Sequence, residues 1–539
     1  MKKTAFLVSL FVGLAALAGC QSAANPTPPP SSVIVASPPA QTPSPTVTPA
    51  PEEPSLFFYS RSDGKNGILR SDGAFAIPCQ YENIFQLYPL TDRFVAGRVL
   101  SPQEDEKNPQ ILYALLDQNG QPMTEFCYNG LYLISGQSDF LTGWREESST
   151  RAILDVRTGE TLLELPSSGW NISVSGLEDL LICYDPEANS ASLYELTSLR
   201  EGVTEPVSVL ENVESIEAVN GWEGIFAVRR SWEDCVFYDR NGPLLGGASF
   251  EGFSFQAGEG LLTVRKNGLH GCIDTDGNWV IEPVFGDIYP FSNGLAAAWK
   301  EDGLWGYIDK SGQWVIEPQF TSADTFCNGY AICTTTEYNA DGSEKQVLLN
   351  SLGDVLLSGR ISGYWEDGDF PMVCVESEGV RTYYSLSRDG SSAPLLLKAL
   401  GEEDASYWQN GTSGSYAIIA GWKDSGDTPC GILNMETGNW VLEPGKYQQI
   451  TLPRANITEN SDGYFPEDSP VLCAYYRYHN TTLINLIDWD GNVLLERLNQ
   501  VDGCDGKLIL VQKGFSKGLM DLSGSWIYQE SIFSVFDDE

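Results

Sequence analysis

The chain has 539 residues and a formal net charge of −41 at pH 7, from 73 acidic and 32 basic residues. A field of that sign repels the phosphates of nucleic acids, so we expect no nucleic-acid partner. Hydrophobic residues make up 42% of the chain and charged residues only 19%, which argues against a disordered protein.

The first segment, residues 1–19, has the pattern of an export signal. Lys2 and Lys3 precede an apolar run that is too short to cross a bilayer comfortably. The Leu-Ala-Gly-Cys sequence at 17–20 resembles the lipobox of bacterial lipoproteins. The resemblance implies cleavage before Cys20 and attachment of a lipid to its thiol, which would anchor the protein to the bacterial cell membrane outside the cytoplasm. The alternative is an ordinary secretory signal that happens to contain a cysteine.

Residues 20–54 are predicted to form a tether behind the lipidated cysteine. The stretch from Pro26 to Pro54 contains 11 of the 30 prolines of the chain. Such a composition cannot bury a core and favours extended polyproline II. At roughly 3.1 Å per residue, the tether would hold the following domain up to about 100 Å from the membrane.

The remaining body, residues 55–539, contains an internal repeat. The segment "GLWGYIDKSGQWVIEPQF" at 303–320 matches "GLHGCIDTDGNWVIEPVF" at 268–285 at 12 of 18 positions, with an offset of 35 residues. Self-similarity at a period of 20–50 residues is the signature of a repeat fold. Short apolar runs bounded by Gly, Asp, Asn and Pro indicate strands and hairpins.

Each unit is predicted to be a three-stranded antiparallel meander, with a short fourth strand in some copies. Asp309 and Ser311 before Gly312 suit a tight turn in which the glycine takes positive φ. Pro318 is expected to end the returning strand, because proline cannot donate to a ladder. Gly306 lies mid-strand, where we expect a large aromatic side chain to pack over it.

The pair formed by the mid-strand Gly306 and the turn Gly312 identifies further copies of the unit. It recurs at Gly67 and Gly73, Gly271 and Gly277, Gly431 and Gly438, and Gly518 and Gly524. Weaker copies keep only the turn glycine, at Gly120, Gly159, Gly242, Gly353, Gly390 and Gly491. A twelfth copy near Gly202 is too degenerate to assign, so we expect about 11–12 units.

The best copies resemble the bacterial WG-repeat (KWG-type) family. Trp305 and Gly306 supply the Trp-Gly pair, and Trp314 begins the hydrophobic strand that ends in proline. The match is strong at 268–320, fair at 64–81, 430–447 and 513–528, and degenerate elsewhere. The resemblance implies an all-β repeat architecture and brings no settled catalytic role. Other copies replace the Trp305 equivalent by His270, Cys430, Lys517 or Asn66, so its role is not uniform.

The predicted fold is therefore all-β, with tandem three- to four-stranded antiparallel meander repeats in a propeller-like arrangement. Propellers usually have about four to eight blades, so a single ring of twelve is not expected. Two propeller-like subdomains, divided somewhere in 195–250 or 340–400, would satisfy that limit. An open superhelical β-repeat array is the alternative.

Catalytic and metal-binding motifs find little support. The chain has only two histidines, His270 and His479, and neither has a nearby triad or zinc partner. The turns Asp274–Asn278 and Asp488–Asn492 resemble the start of a calcium loop but lack its trailing glutamate. We therefore expect no cofactor, no metal and no catalysis.

The twelve cysteines do not form an evident disulfide framework. They are scattered, and the closest pair is Cys327 and Cys333. Lipidation of Cys20 would leave an odd number, eleven. We expect most of them to be small buried hydrophobic residues.

Binding is the expected function, because repeat β-folds present grooves built from loops. The non-repeat insertions contain Trp365, Trp408 and Tyr464, which we select as candidate binding aromatics. The structural repeat residues are Gly271, Gly277, Trp305, Gly306, Gly312 and Trp314. The sequence thus predicts an envelope lipoprotein whose ectodomain binds or scaffolds an extracellular protein, peptide or glycan. The alternative is an extracellular carbohydrate-active enzyme or its substrate-binding accessory.

Overall fold

The computed structural model describes residues 56–60, 63–87, 90, 92–99, 110–134, 139–166, 170–172, 177, 179–300, 303–366, 368–377, 380–388, 393–400, 405–423, 430–453, 469–479 and 481–532. Pro54–Glu539 forms one compact unit. The predicted lipidation site Cys20, the tether at 20–54 and the candidate binding residue Tyr464 lie outside the described residues.

The described residues form 45 strands, which fall into twelve consecutive repeat units. Units 1 to 3 contain β1 (Leu56–Ser60), β2 (Asn66–Arg70) and β3 (Phe75–Tyr81); β4 (Asn83–Gln86), β5 (Phe94–Val99) and β6 (Ile111–Leu116); and β7 (Gly130–Leu133), β8 (Phe140–Arg145), β9 (Thr150–Asp155) and β10 (Thr161–Pro166). Unit 4 contains β11 (Trp170–Ile172), β12 (Leu180–Asp185), β13 (Ser190–Glu195), the helix α1 (Leu196–Arg200) and β14 (Ser208–Glu211). It includes the degenerate copy near Gly202, in which α1 replaces the tight turn.

The middle units include the strongest sequence repeats. Unit 5 contains β15 (Ser215–Ala218), β16 (Phe226–Ser231), β17 (Asp234–Asp239), β18 (Gly242–Pro243), a 3-10 turn (Leu244–Gly247) and β19 (Ser249–Phe250). Units 6 and 7 contain β20 (Gly252–Phe253), β21 (Leu262–Lys266), β22 (Leu269–Ile273) and β23 (Trp279–Phe285), then β24 (Asp287–Ile288), β25 (Leu295–Trp299), β26 (Trp305–Asp309) and the first part of β27 (Trp314–Ala323). Unit 8 contains the end of β27, β28 (Tyr330–Tyr338), β29 (Glu344–Asn350) and the first part of β30 (Val355–Trp365).

The last four units complete the array. Unit 9 contains the end of β30, β31 (Met372–Ser377), β32 (Val380–Ser385), β33 (Leu395–Leu396) and a 3-10 turn (Lys398–Leu400). Units 10 and 11 contain β34 (Ala405–Ser413), β35 (Tyr416–Lys423), β36 (Cys430–Asn434) and β37 (Asn439–Tyr447), then β38 (Gln449–Thr451), β39 (Leu472–Tyr478), β40 (Thr481–Ile487) and β41 (Val493–Leu498). Unit 12 contains β42 (Gln500–Cys504), β43 (Leu508–Lys513), β44 (Ser516–Asp521) and β45 (Trp526–Ser531). No helix in the described part of the chain is long and apolar enough to cross a membrane.

The fold class predicted from the sequence is confirmed. Strands pair antiparallel and in chain order within each unit, apart from β19 of unit 5, which pairs with β17, so each unit is a meander. A connection, here called a corner, joins the last strand of one unit to the first strand of the next. Gly286 alone separates β23 from β24, and β27 runs through two units, pairing with β26 at Trp305↔Phe320 and with β28 at Ala323↔Cys333. The shared strands β27 and β30 fuse units 7, 8 and 9 into one ten-stranded sheet.

Gly306, the glycine of the Trp-Gly pair on β26, is required by a bulge in the neighbouring strand β27. Between the pairs Trp305↔Phe320 and Tyr307↔Ile316, β27 has two residues more than β26. The displaced backbone passes directly over Gly306, so a Cβ atom there would overlap the carbonyl oxygen of Ile316 and lie 2.8 Å from the nitrogen of Pro318. Gly67, Gly271 and Gly431 lie under equivalent bulges.

Two expectations about this segment are therefore wrong. The atoms nearest to a Cβ at Gly306 would be backbone atoms of Ile316, Glu317 and Pro318 rather than an aromatic side chain, and only glycine accommodates backbone at that distance. Pro318 does not end its strand, since β27 continues to Ala323. Proline is tolerated because it lies in the bulge, where the ladder is interrupted. In unit 11, Asn485 occupies the glycine position, and the bulge shrinks to one extra residue.

The predicted hairpin turn has the expected geometry. Gly312 has φ of 78°, and its N–H donates to the carbonyl oxygen of Asp309 at 2.9 Å. The carboxylate of Asp309 accepts from the N–H of Ser311 at 2.8 Å and from its hydroxyl at 2.6 Å. The hydroxyl hydrogen bond and the backbone N–H groups lower the pKa of Asp309. The turn residues thus satisfy one another locally.

The twelve units close into one ring. The described residues contain twelve clusters of buried hydrophobic side chains, each shared by two neighbouring units. The closing cluster joins unit 1 to unit 12 through Phe57, Tyr59, Leu69, Leu510 and Leu519. Because the last unit packs on the first, the alternative of an open superhelical array is wrong.

The packing also shows no break where two subdomains were expected. Clusters span both proposed division ranges, between units 4 and 5 and between units 8 and 9. The usual limit of about four to eight blades applies to separate sheets. Even with units 7, 8 and 9 fused into a single sheet, the described residues form ten sheets, so this ring is larger than that usual limit.

Candidate functional site

The three aromatic residues selected from the sequence have different surroundings. Trp408 lies on β34 and is 37% exposed. Trp365 ends β30 and packs, half-buried, on the core between units 9 and 10. Tyr464 lies outside the described residues. The segment around Trp408 was expected to be an irregular insertion, but it forms the hairpin of β34 and β35, since its residues pair in register. The structure does not bring Trp365 and Trp408 to one site.

Trp408 lines a pocket of 280 Å³ at the boundary of units 10 and 11. The lining consists of Trp408, Asn410, Ala420, Gly421, Cys430, Gln448 and Gln449. Three neighbouring strands of unit 10 form one wall. The corner that leads into β38 forms the other wall. All seven residues are uncharged at neutral pH, in a chain whose net charge is −41.

The pocket arises from a row of paired residues across unit 10. Trp408 pairs with Ala420, Ala420 with Cys430, and Cys430 with Tyr447. Residues paired across antiparallel strands lie on the same face of the sheet. Two small side chains therefore lie between two large rings, and the space above them is hollow.

Comparison with unit 7 shows what is missing from this row. At the equivalent register, Trp299 pairs with Trp305, and Trp305 pairs with Phe320. The rings of Trp299 and Trp305 lie 6.5 Å apart, and Tyr289 packs on Trp305 at 4.8 Å. Unit 10 has Ala420 and Cys430 at these two positions. The methyl group and the thiol leave open the volume that the two indoles fill in unit 7.

Amide groups form the polar part of the pocket. The Nδ2 of Asn410 donates to the carbonyl oxygen of Ile450 at 3.3 Å, which fixes the orientation of this amide. An amide has two N–H donors and a carbonyl acceptor, and this bond uses one donor. The backbone N–H of Gln448 donates to the carbonyl oxygen of Tyr475 at 2.8 Å, which anchors the corner. Burial raises the pKa of the Cys430 thiol to about 11, so it stays neutral.

A second exposed tryptophan lies beside the pocket. Trp422 is 48% exposed and follows Ala420 by two residues on β35. It pairs with Ser406, two residues before Trp408 on β34. Trp408 and Trp422 are thus diagonal neighbours on one face, at about 7–8 Å by strand geometry. Together they give this edge of unit 10 two adjacent indole rings.

The residues considered for catalysis or metal binding have local structural partners. Nδ1 of His270 lies 2.7 Å from the carbonyl oxygen of Gly286, at the corner between units 6 and 7. The carboxylate of Asp274 accepts from the backbone N–H of Asn278 at 2.7 Å, as expected for turn chemistry. The described residues contain no group of three or more His, Cys, Asp or Glu side chains placed to hold a metal ion.

The cysteines of the body agree with the expectation of small buried residues. All eleven are free thiols in the structure. Eight of them are buried, and Cys79, Cys127 and Cys327 are half-buried. Burial raises the pKa of the Cys272 thiol to about 12. The eight buried thiols contribute packing volume and not reactivity.

The repeat sequence is matched by a known family model. Residues 271–303 and 305–332 match the WG containing repeat. The chain carries WG repeats. The match covers the second half of unit 6, most of unit 7 and the start of unit 8, although all twelve units share the meander architecture. Residues 451–539, which include most of units 11 and 12, match a domain of unknown function (DUF5046).

Comparison with other proteins adds only general likeness. No curated protein matches the WG-repeat chain significantly. Among solved structures, the dihydro-heme d1 dehydrogenase NirN aligns at 13% identity and a TM-score of 0.25, covering 57% of this chain and 74% of its own. AztD from Citrobacter koseri aligns at 14% identity and a TM-score of 0.22, covering 71% of this chain and 92% of its own. The Saccharomyces cerevisiae protein Sqt1 aligns at 12% identity and a TM-score of 0.24, covering 53% and 91%. At these TM-scores, no ligand or activity is transferred from these proteins to this chain.

The sequence contains one signal for the pocket, the replacement of the Trp305 equivalent by Cys430. Cys430 was recognised as a replacement for the Trp305 equivalent, but only as a buried residue. The pocket becomes apparent when the strand register also aligns Ala420 with Trp299. Gln448 and Gln449 were not selected at all, because their approach depends on the corner between units 10 and 11.

Proposed function

We propose that this protein is a lipid-anchored protein of the bacterial cell envelope whose WG-repeat ring binds a ligand or protein partner without catalysis. The anchor is supported by the lipobox-like sequence that ends in Cys20 and by the proline-rich tether behind it. The tether would display the ring outside the cytoplasm, at a distance from the membrane. The proposed ligand site is the Trp408 pocket, which means the seven lining residues given above.

The observation that carries the binding proposal is the emptied aromatic row of unit 10. Unit 7 fills the equivalent volume with the two indoles of Trp299 and Trp305. The same space in unit 10 opens beside the exposed ring of Trp408. Concave sites with an apolar body and a few fixed polar groups are the usual form of ligand-binding sites.

Binding without turnover is favoured over hydrolysis at this pocket by the chemistry of its lining. Glycoside hydrolysis generally uses a pair of carboxyl residues that flank the bond to be cleaved. The seven lining residues offer amides, an indole, a methyl group and a thiol. Those groups can hold and orient a ligand. The thiol of Cys430 is kept protonated by its raised pKa, so it is a poor nucleophile.

Two experiments test the proposal. Membrane fractionation should find the wild-type protein in the membrane and the Cys20→Ala variant in the soluble exported fraction. If the variant stays in the membrane, the lipid anchor is wrong. For the ring, glycan and peptide arrays probed with the full-length chain in detergent should give retention of an intact ligand. Release of cleaved products, abolished in a variant of a single residue, would instead identify an enzyme.

A further inference from the structure

The Trp408 pocket combines three features that together restrict its ligand. It is lined by uncharged groups that include the indole of Trp408, a second exposed indole lies beside it, and its polar groups are amides from two neighbouring units. Its volume of 280 Å³ is just below the range of about 300–1,000 Å³ typical of sites for drug-sized ligands. A ligand component of one ring fits such a space.

The net charge of the chain disfavours anionic ligands. The chain has a net charge of −41, and the pocket supplies no basic side chain to offset that field. An anion would enter against the long-range repulsion and find no ion pair inside. A cation would be attracted by the field, but the pocket itself has no carboxylate to pair with it.

The amide groups select for hydroxyl-rich ligands. Each amide can donate and accept, as a hydroxyl group can, so amides and hydroxyls pair in either sense. Asn410 is held by its bond to Ile450 and faces the corner residues Gln448 and Gln449 across the pocket. Polar groups that reach a ligand from both walls fix its orientation as well as its position.

The two tryptophans supply the complementary surface. The face of an indole carries negative charge density, whereas C–H bonds beside ring oxygens carry partial positive charge. A sugar ring presents such C–H groups on its flat face and hydroxyl groups around its edge. Trp408 offers a stacking surface in the pocket, and Trp422 offers another at about 7–8 Å. Two linked sugar rings can span that distance.

We propose that the Trp408 pocket binds an uncharged glycan, with one sugar ring stacked on Trp408 and the next ring on Trp422. This inference rests on the proposed function and specifies its ligand class. The hydroxyl groups of the first ring pair with Asn410, Gln448 and Gln449. The site binds a short stretch of a chain, because the tryptophans line an open edge of unit 10 and not a closed cavity.

The test uses the full-length chain in detergent and soluble oligosaccharides of one to six units. The neutral probes are β-1,4-linked glucose, α-1,4-linked glucose and β-1,4-linked N-acetylglucosamine, and the anionic probe is oligogalacturonate. Binding is followed by calorimetry and by tryptophan fluorescence. We expect at least one neutral series to bind and the anionic series not to bind.

The variants assign the binding to the pocket. Trp408→Ala should weaken binding at least tenfold for all lengths, and Trp408→Tyr should restore part of the affinity. Trp422→Ala should weaken binding of the longer probes but leave a single sugar unaffected. The matched control is Trp232→Ala, which removes a tryptophan that is 79% exposed at a turn of unit 5. It should change nothing. Circular dichroism and the melting temperature establish that each variant is folded.

The outcomes separate the two proposals. If no neutral glycan binds, or if Trp408→Ala binds as the wild type does, the glycan inference is overturned. If a peptide binds in a manner that depends on Trp408, the ligand class is wrong but the binding function stands. If nothing binds in a manner that depends on Trp408, both the ligand class and the assignment of function to this pocket are wrong.

Discussion

The hydroxyl group of Tyr59 in unit 1 donates a hydrogen bond of 2.5 Å to Oε1 of Glu530 in unit 12. These residues are 471 positions apart in the sequence. The ring of Tyr59 also lies 5.7 Å from that of Tyr528, edge to face. Burial, and then the bond to Glu530, raise the pKa of the Tyr59 hydroxyl well above its usual range. A partly buried polar contact and an aromatic pair therefore join the two ends of the repeat array.

Because the ring is closed, the local stability of unit 1 depends on its packing against unit 12. Leu519 in unit 12 is fully buried in the closing cluster, so Leu519→Ala should cost about 2–5 kcal/mol of local stability. Because repeats contact mainly their neighbours, the loss should appear as faster amide hydrogen exchange in residues 56–81 of unit 1. Hydrogen-exchange mass spectrometry measures this.

The matched control for closure is Leu433→Ala. Leu433 is also fully buried, but in the cluster between units 9 and 10. This variant should accelerate exchange around units 9 and 10 and leave unit 1 unchanged. An open array would give a different result, since Leu519→Ala would then leave the protection of residues 56–81 intact.

The backbone bulge over Gly306 predicts a strong penalty for any side chain there. Gly306→Ala brings a methyl group against the backbone of Ile316 and Pro318, which cannot move without opening the strand pair. We expect a loss of at least about 1–3 kcal/mol in the free energy of unfolding, the usual cost of overpacking. Urea denaturation followed by tryptophan fluorescence gives the value.

Gly252→Ala is the control for this substitution. Gly252 also lies in a strand, but a Cβ atom there would have no neighbour within 4 Å, and its φ is not in the left-handed region. Its stability should change little. Equal losses in both variants would mean that the close approach at Gly306 is not the cause.

The turn aspartates predict an acid-sensitive component of stability. Hydrogen bonds from the hydroxyl groups of Ser311 and Ser523 lower the pKa of Asp309 and Asp521 respectively in the folded protein. A carboxyl whose pKa is lower in the folded state stabilises it fully above the ordinary carboxyl pKa of about 3.9. That contribution is lost as the pH falls through the folded pKa.

The measurement is the urea midpoint between pH 2.5 and 6. In the wild type, the midpoint should decrease steadily on acidification below about pH 4. In the Asp309→Asn, Asp521→Asn double variant, the same decrease should be shallower, because two of the responsible groups no longer titrate. If the urea midpoint falls with pH equally steeply in the two proteins, Asp309 and Asp521 are not responsible for the acid sensitivity.

Thiol burial predicts an order of chemical reactivity. The thiolate is the reactive form, and burial raises the pKa of Cys272 to about 12, so very little thiolate exists at pH 8. Cys127 is only half-buried. Timed alkylation with iodoacetamide under native conditions, read by peptide mass spectrometry, should label Cys127 before Cys272. In urea, both should react at similar rates. Early labelling of Cys272 in the native protein would show that its strand opens readily.

The sequence determined the local structure of each unit. Turn glycines such as Gly312, with Asp309 before them, fix a hairpin within a few residues, and apolar alternation fixes which residues face a neighbour. These are short-range effects, so the all-β meander class and the repeat could be predicted. Trp408 could be selected because its segment departs from the repeat.

Only the tertiary structure decided how the units are joined. The bulge that makes Gly306 necessary, the sharing of β27 by two units and the packing of Leu519 against unit 1 are contacts between separate parts of the chain. No local pattern encodes the direction in which one unit leads into the next. The pocket could not be predicted for the same reason. Its two walls come together only where the connection at Gln448 approaches Trp408. The sequence specifies each unit through local backbone preferences. Ring closure and the candidate site depend instead on the direction of every connection between neighbouring units.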